Sequence, residues 1–118
     1  MSDVKPQKIC AWITRHHPTP WQARDLREAG YTIVYIPTRE IIAYRILAHI
    51  EKELQQNPTI IVAAHPVDTL HHLARQAPCP VLIADMDHTY QQPKWRGTWK
   101  RVIRNQLITR PFKHKDSQ

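Results

Sequence analysis

Four short, almost unbroken apolar runs constrain this chain more than any other feature: residues 8–14 (KICAWIT), 31–36 (YTIVYI), 59–64 (TIIVAA) and 80–84 (PVLIA). A strand with one wet face alternates apolar and polar residues, whereas a strand covered on both faces is apolar throughout. The runs are separated by segments with helical signals. Strand and helix therefore alternate, which predicts an α/β chain with a parallel sheet and helices on both faces.

The helical segments carry their own punctuation. Thr19 and Gln22 have the spacing of a capping box, and Pro20 falls at the first helical position, where its missing N–H costs nothing. Ala23, Leu26 and Ala29 continue that helix and Gly30 is placed to end it. Thr38 is the expected cap of a second helix, whose apolar residues Ile42, Ile46, Leu47, Ile50 and Leu54 recur at helical spacing until Asn57-Pro58. A third helix follows His65-Pro66, with Leu70, Leu73 and Ala74 inward, and stops near Ala77-Pro78. Beyond Tyr90 the pattern changes: residues 95–112 interleave β-branched and basic side chains. That predicts a C-terminal edge strand or a hairpin turning near Asn105, with 113–118 as a frayed tail.

Composition narrows the function classes. With 118 residues the expectation is a single domain. No apolar run approaches the roughly 20 residues that span a bilayer, and no leader pattern is present, so no membrane association is expected. Cys10 and Cys79 lie in apolar surroundings and read as buried free thiols of a reducing compartment, which makes cytoplasm the expected location. Two glycines leave no room for a glycine-rich dinucleotide or phosphate loop, which excludes NAD and P-loop ATPase readings. The net charge is +7, and residues 91–118 hold Lys94, Arg96, Lys100, Arg101, Arg104, Arg110, Lys113 and Lys115 against Asp116 alone. Such a surface attracts polyanions, and nucleic acid is a possible partner of the basic C-terminal strands; a solvated basic tail is the plain alternative.

Open parallel sheets bind ligands outside the carboxyl ends of their strands, where the strand order reverses. The order 2-1-3-4, the simplest with short crossovers, places the reversal between the first and third strands. Just past those strands lie Thr14, Arg15, His16 and His17, and then Ala64, His65 and Pro66. Helix N-termini near Thr19 and near Val67 or Asp68 are expected to point there, and their free amides suit an anion. Asp85, after the fourth run, joins the candidate ligand set; it is also an acid that Arg15 could simply pair with. If the chain is extended past Thr14, one of His16 and His17 turns away, and His16 is taken to face the site. His65 is either a ligand or a satisfied structural histidine, and His71 and His72 read as surface or boundary residues of a helix. Asp85, Asp87 and His88 with His16 and His65 would make an oxygen and nitrogen set for a metal, but no ligand spacing supports it and residues 85–88 read as an exposed loop. Neither metal nor cofactor is expected.

Two resemblances bear on function. Arg15-His16 followed by Thr19 is similar to the R-H-G-x-T motif of histidine phosphatases, but His17 replaces its glycine, Pro18 is a further departure, and that family needs a larger domain; it is set aside. The stretch Thr14-Arg15-His16-His17-Pro18-Thr19-Pro20-Trp21-Gln22 resembles the strand end and helix start of small stand-alone CRISPR-associated ring nucleases. The strand, loop and helix of 59–76 also look like that family's second ligand-binding edge. The likeness runs from Lys8 to Asp87 in order of elements, and only the first motif is specific residue by residue. It implies a compact Rossmann-like (CARF-like) domain. It also implies a homodimer that binds a cyclic oligoadenylate, cyclic tetra-adenylate foremost, across its two-fold axis. The ring would be cleaved without metal by attack of a ribose 2′-OH on the adjacent phosphate. Arg15 would clamp the phosphate, and His16 or His65 would protonate the departing oxygen. The alternatives are a non-catalytic cyclic-nucleotide or RNA/DNA-binding module, and a phosphoesterase acting on another nucleotide.

Overall fold

Parallel neighbours need a crossover connection, and each parallel step of this chain is made through a helix. The computed structural model describes residues 7–103 and 109–112. Among these, the elements in chain order are β1 (Lys8–Trp12), α1 (Pro20–Glu28), β2 (Tyr31–Tyr35), α2 (Ala43–Leu54), β3 (Ile60–Val62), α3 (Val67–Gln76), β4 (Val81–Asp87), β5 (Lys94–Val102) and β6 (Thr109–Phe112). They form a six-stranded sheet in the order β2-β1-β3-β4-β5-β6. The first four strands are parallel, and β5 and β6 join antiparallel. The 2-1-3-4 order is therefore present, extended by an antiparallel pair into a mixed sheet. The turn expected near Asn105 and the tail expected at 113–118 lie outside the described residues.

Alternation along β1 sorts the core into two layers. Cys10 and Trp12 pack with Leu26 of α1, Tyr31, Ile60, Val62, Leu82 and Trp99 on one face. Ala11 and Ile13 pack with Ile46 and Ile50 of α2 and Leu70 and Leu73 of α3 on the other. Helices thus cover both faces of the parallel part. Cys10 and Cys79 are free, and burial pushes each thiol up to about 12.

The first helix starts as its sequence predicts. Gln22 N donates to Thr19 Oγ1 (3.1 Å) and Thr19 N to Gln22 Oε1 (3.0 Å), closing the capping box. Gly30, at φ 97, takes the left-handed turn after it.

Three local expectations are corrected. Thr38 does not cap α2. Its hydroxyl accepts from Glu40 N (3.0 Å), and Glu40's carboxylate accepts from the amides of Ile41 and Ile42 (3.1 Å each), so the helix begins only at Ala43. These local hydrogen bonds compete with helix start. Residues 85–87 are not loop: Met86 pairs with Trp95 and Asp87 with Lys94, so β5 supplies the backbone partners that prolong β4. Finally, β1 and β3 are shorter than their apolar runs, although Ile13 N still donates to Val62 O (3.0 Å) beyond the strand ends.

Candidate functional site

The ends of β1, β2 and β3 surround an open cleft of about 360 Å³. The turn after β1 contributes Thr14, Arg15 and His16, and the β3–α3 turn contributes Ala64, His65 and Pro66. The sheet order brings these two turns together across the neighbouring strands β1 and β3. Thr38, Arg39 and Ile41 from the β2–α2 loop close the remaining side.

The backbone beneath Arg15 and His16 is held from several directions. Trp12 Nε1 donates to the His16 carbonyl (2.6 Å), and Tyr35 Oη donates to the Arg15 carbonyl (2.5 Å). Thr14, only 8 % exposed, accepts from His16 N through its hydroxyl (3.2 Å). The side chains above this anchored turn are exposed. Arg39 is exposed as well, and among the described residues neither Arg15 nor Arg39 forms an ion pair with a carboxylate. Two guanidinium groups on a fixed turn and a neighbouring loop can take an anion without first breaking a salt bridge.

His65 ties two walls of the cleft. Its Nε2 lies 3.1 Å from the Thr38 carbonyl. A carbonyl only accepts, so Nε2 is assigned the proton and Nδ1 the lone pair. Nδ1 is buried with no hydrogen-bond partner among the described residues. Desolvation lowers the His65 pKa below its ordinary value, opposed by the Thr38 hydrogen bond, so the ring is neutral near pH 7. Next to it α3 begins at Val67 with Pro66 as a cap that has no side-chain acceptor, leaving first-turn amides without intrahelical partners. Asp68 lies in that first turn.

Of the residues expected from sequence, Thr14, Arg15, His16, Ala64, His65 and Pro66 converge here. His17 does not line the cleft; its ring stacks on Tyr35 at 4.1 Å and 19°. Asp85 is also elsewhere, held by the Arg96 and Lys100 side chains (3.6 Å each) and by the Thr98 hydroxyl (3.1 Å). It is therefore not Arg15's partner. The N-terminus of α1 does not open onto the cleft either, for Thr19 and Trp21 line a separate groove. No group of three or more His, Cys, Asp or Glu side chains placed to hold a metal occurs among the described residues, so residues 85–88 and the two cleft histidines do not assemble into one.

Arg39 is the functional candidate that sequence reasoning missed. The signal was a repetition: Ile13-Thr14-Arg15 ends the β1 run and Pro37-Thr38-Arg39 follows the β2 run. Because β1 and β2 are parallel neighbours with Trp12 opposite Tyr35, the residues just past both strands emerge at the same edge, Arg39 one position further along than Arg15.

Fold and cleft together define an α/β chain with a mixed six-stranded sheet and an arginine-lined cleft at the carboxyl ends of its parallel strands. Compared with protein-family models, curated proteins and solved structures, the chain matches none. No helix among the described residues is long and apolar enough to cross a membrane.

Proposed function

We propose that this chain binds a cyclic oligoadenylate, cyclic tetra-adenylate foremost, in the arginine cleft and cleaves it without metal, as a CRISPR-associated ring nuclease on a Rossmann-like, CARF-like framework. The observation that carries the reading is the anchored turn presenting Arg15 and His16 beside Arg39, at the strand ends where α/β sheets gather anionic ligands. Arg15 and Arg39 take the non-bridging phosphate oxygens and stabilise the charge that grows on them. The ribose 2′-oxygen attacks phosphorus in line, its proton leaving to solvent. The bond to the 5′-oxygen breaks, giving a linear product with a cyclic 2′,3′-phosphate.

Within this reading the two histidines take different roles. His65 has its Nε2 proton engaged by Thr38 and its Nδ1 buried, so it is a positioning residue that holds the β2–α2 loop and hence Arg39. His16, exposed over the cleft, is the residue free to protonate the departing 5′-oxygen. A homodimer fits the surroundings. Ile41 and Ile42 just before α2 and Val67 at the start of α3 are exposed apolar side chains, Ile41 in the cleft wall and Val67 next to Pro66 of that wall. A second copy related by a two-fold axis would cover them and double the arginines around one ring.

The test is incubation of the purified chain with cyclic tri-, tetra- and hexa-adenylate in the presence of EDTA, with product analysis. The expected result is cleavage of the tetra-adenylate ring to linear cyclic-phosphate products, with His16→Ala slowing turnover while binding persists. Binding without products would leave a sensor and remove the enzymatic half of the proposal. Neither binding nor cleavage of any ring would remove it entirely.

A further inference from the structure

A second concave surface lies on the α1 side of the sheet and shares no lining residue with the arginine cleft. It encloses about 520 Å³ between Trp21, Met86, Pro93 and Trp95, and Lys94 and Arg96 also line it. Its two indoles are held very differently. Trp95 packs at 5.2 Å on Trp99, which in turn meets Trp12 edge-on at 6.2 Å. Trp99 is 1 % exposed and donates to Asp25 (2.7 Å), while Trp95 donates through its own Nε1 to the Thr98 carbonyl (2.8 Å). One wall of the groove is therefore a fixed aromatic platform. The other wall is Trp21, which is 68 % exposed in the first turn of α1. Gly97, at φ 86, leaves open space where a side chain would stand.

The charge around this groove selects an occupant. Lys94 and Arg96 of β5 line it. Lys94 lies 4.4 Å above the Tyr90 ring, itself 49 % exposed, adding a third aromatic close by. Arg96 reaches Asp85 and Asp87 only at 3.6 and 3.7 Å and remains half exposed. Long, solvated pairs of this kind hold cations loosely and yield to a phosphate. Flat rings flanked by loosely held cations form the two-part surface that receives unstacked bases and their backbone.

We propose that the groove between Trp21 and Trp95 is a stacking site for single-stranded nucleic acid, separate from the arginine cleft. One base stacks on the Trp95 platform under Trp21, and the adjoining phosphates lie against Lys94 and Arg96. A duplex, whose bases are already stacked, gains only the charge.

The test is fluorescence anisotropy of labelled oligouridylate and oligodeoxythymidylate of about 12 nucleotides against the full chain, with tryptophan quenching read in parallel. Binding should be saturable, quench tryptophan fluorescence, and weaken steeply between about 50 and about 200 mM salt. Trp21→Ala, a surface change, should weaken it about tenfold or more. Arg15→Ala should leave it unchanged, which separates this site from the cleft. A duplex of equal length should bind more weakly and respond little to Trp21→Ala. Equal affinity of Trp21→Ala for single strands would overturn the proposal by assigning the binding to charge alone. Absence of binding at the lower salt would overturn it too, as would saturable quenching by a proline-rich peptide without any by nucleic acid.

Discussion

The turn after β1 and the β4–β5 pair divide order and charge in opposite ways. In the turn, hydrogen bonds from Trp12 and Tyr35 hold the backbone while Arg15 is left without a carboxylate partner among the described residues. On β4 and β5 the cations Arg96 and Lys100 stand in long, solvated pairs with Asp85 and Asp87, and it is the rings of Trp95 and Trp99 that are fixed. A carboxylate beside Arg15 would compete with any incoming anion. The acids on β4 instead keep a row of neighbouring cations from repelling one another along an antiparallel pair. Free charge on a rigid backbone is suited to recognition of a small anion, whereas loosely paired charge beside fixed rings is suited to a larger, sliding contact.

The largest effect is expected at the aromatic ladder. Trp99→Ala removes a side chain that is fully buried, packs between Trp12 and Trp95, and satisfies Asp25. A loss of about 3–5 kcal/mol of unfolding free energy is expected in denaturant titration, in line with large core truncations. A loss below about 1 kcal/mol would mean that the ladder is not part of the packed core. Because Trp12 also anchors His16, this variant should disturb the cleft as well as the groove.

A smaller effect should come from the cleft, and it should depend on pH. The folded pKa of His65 lies below its unfolded value, so the unfolded chain takes up a proton first as pH falls. The neutral ring's contribution is therefore present above about pH 6.5 and is lost as pH falls toward the folded pKa. Urea titrations across this window should show a shallower acid loss for His65→Gln than for the parent chain. An identical acid slope in the two would remove His65 from the account of the cleft.

Much of this fold was legible because its causes are local. Apolar runs covered on both faces read as parallel strands, and Thr19, Pro20 and Gln22 started α1 where their hydrogen bonds required. Strand order followed from short crossovers, and that order alone brought Arg15 to His65. What escaped was decided by partners distant in sequence. Residues 85–87 looked like a loop because β5, which prolongs β4, comes after a polar turn. In the sequence Asp85 is an acid that Arg15 could pair with, but in the fold Arg96 and Lys100 hold it. His16 and His17 could be separated only in part by alternation, since the stacking of His17 on Tyr35 is a tertiary contact. Arg39 was missed for a local reason: Thr38 read as a helix cap, while Glu40 took the amides that such a cap would have served.

Arg15 and Arg39 are proposed to form one anion site. Isothermal titration of cyclic tetra-adenylate into the parent chain, Arg15→Ala, Arg39→Ala and the double variant tests it directly. A charge-assisted hydrogen bond contributes about 1.5–3 kcal/mol, so each single change should weaken binding about tenfold or more and the double change at least about a hundredfold. Unfolding midpoints should stay unchanged, because both side chains are exposed. Undiminished affinity in the double variant would contradict the account.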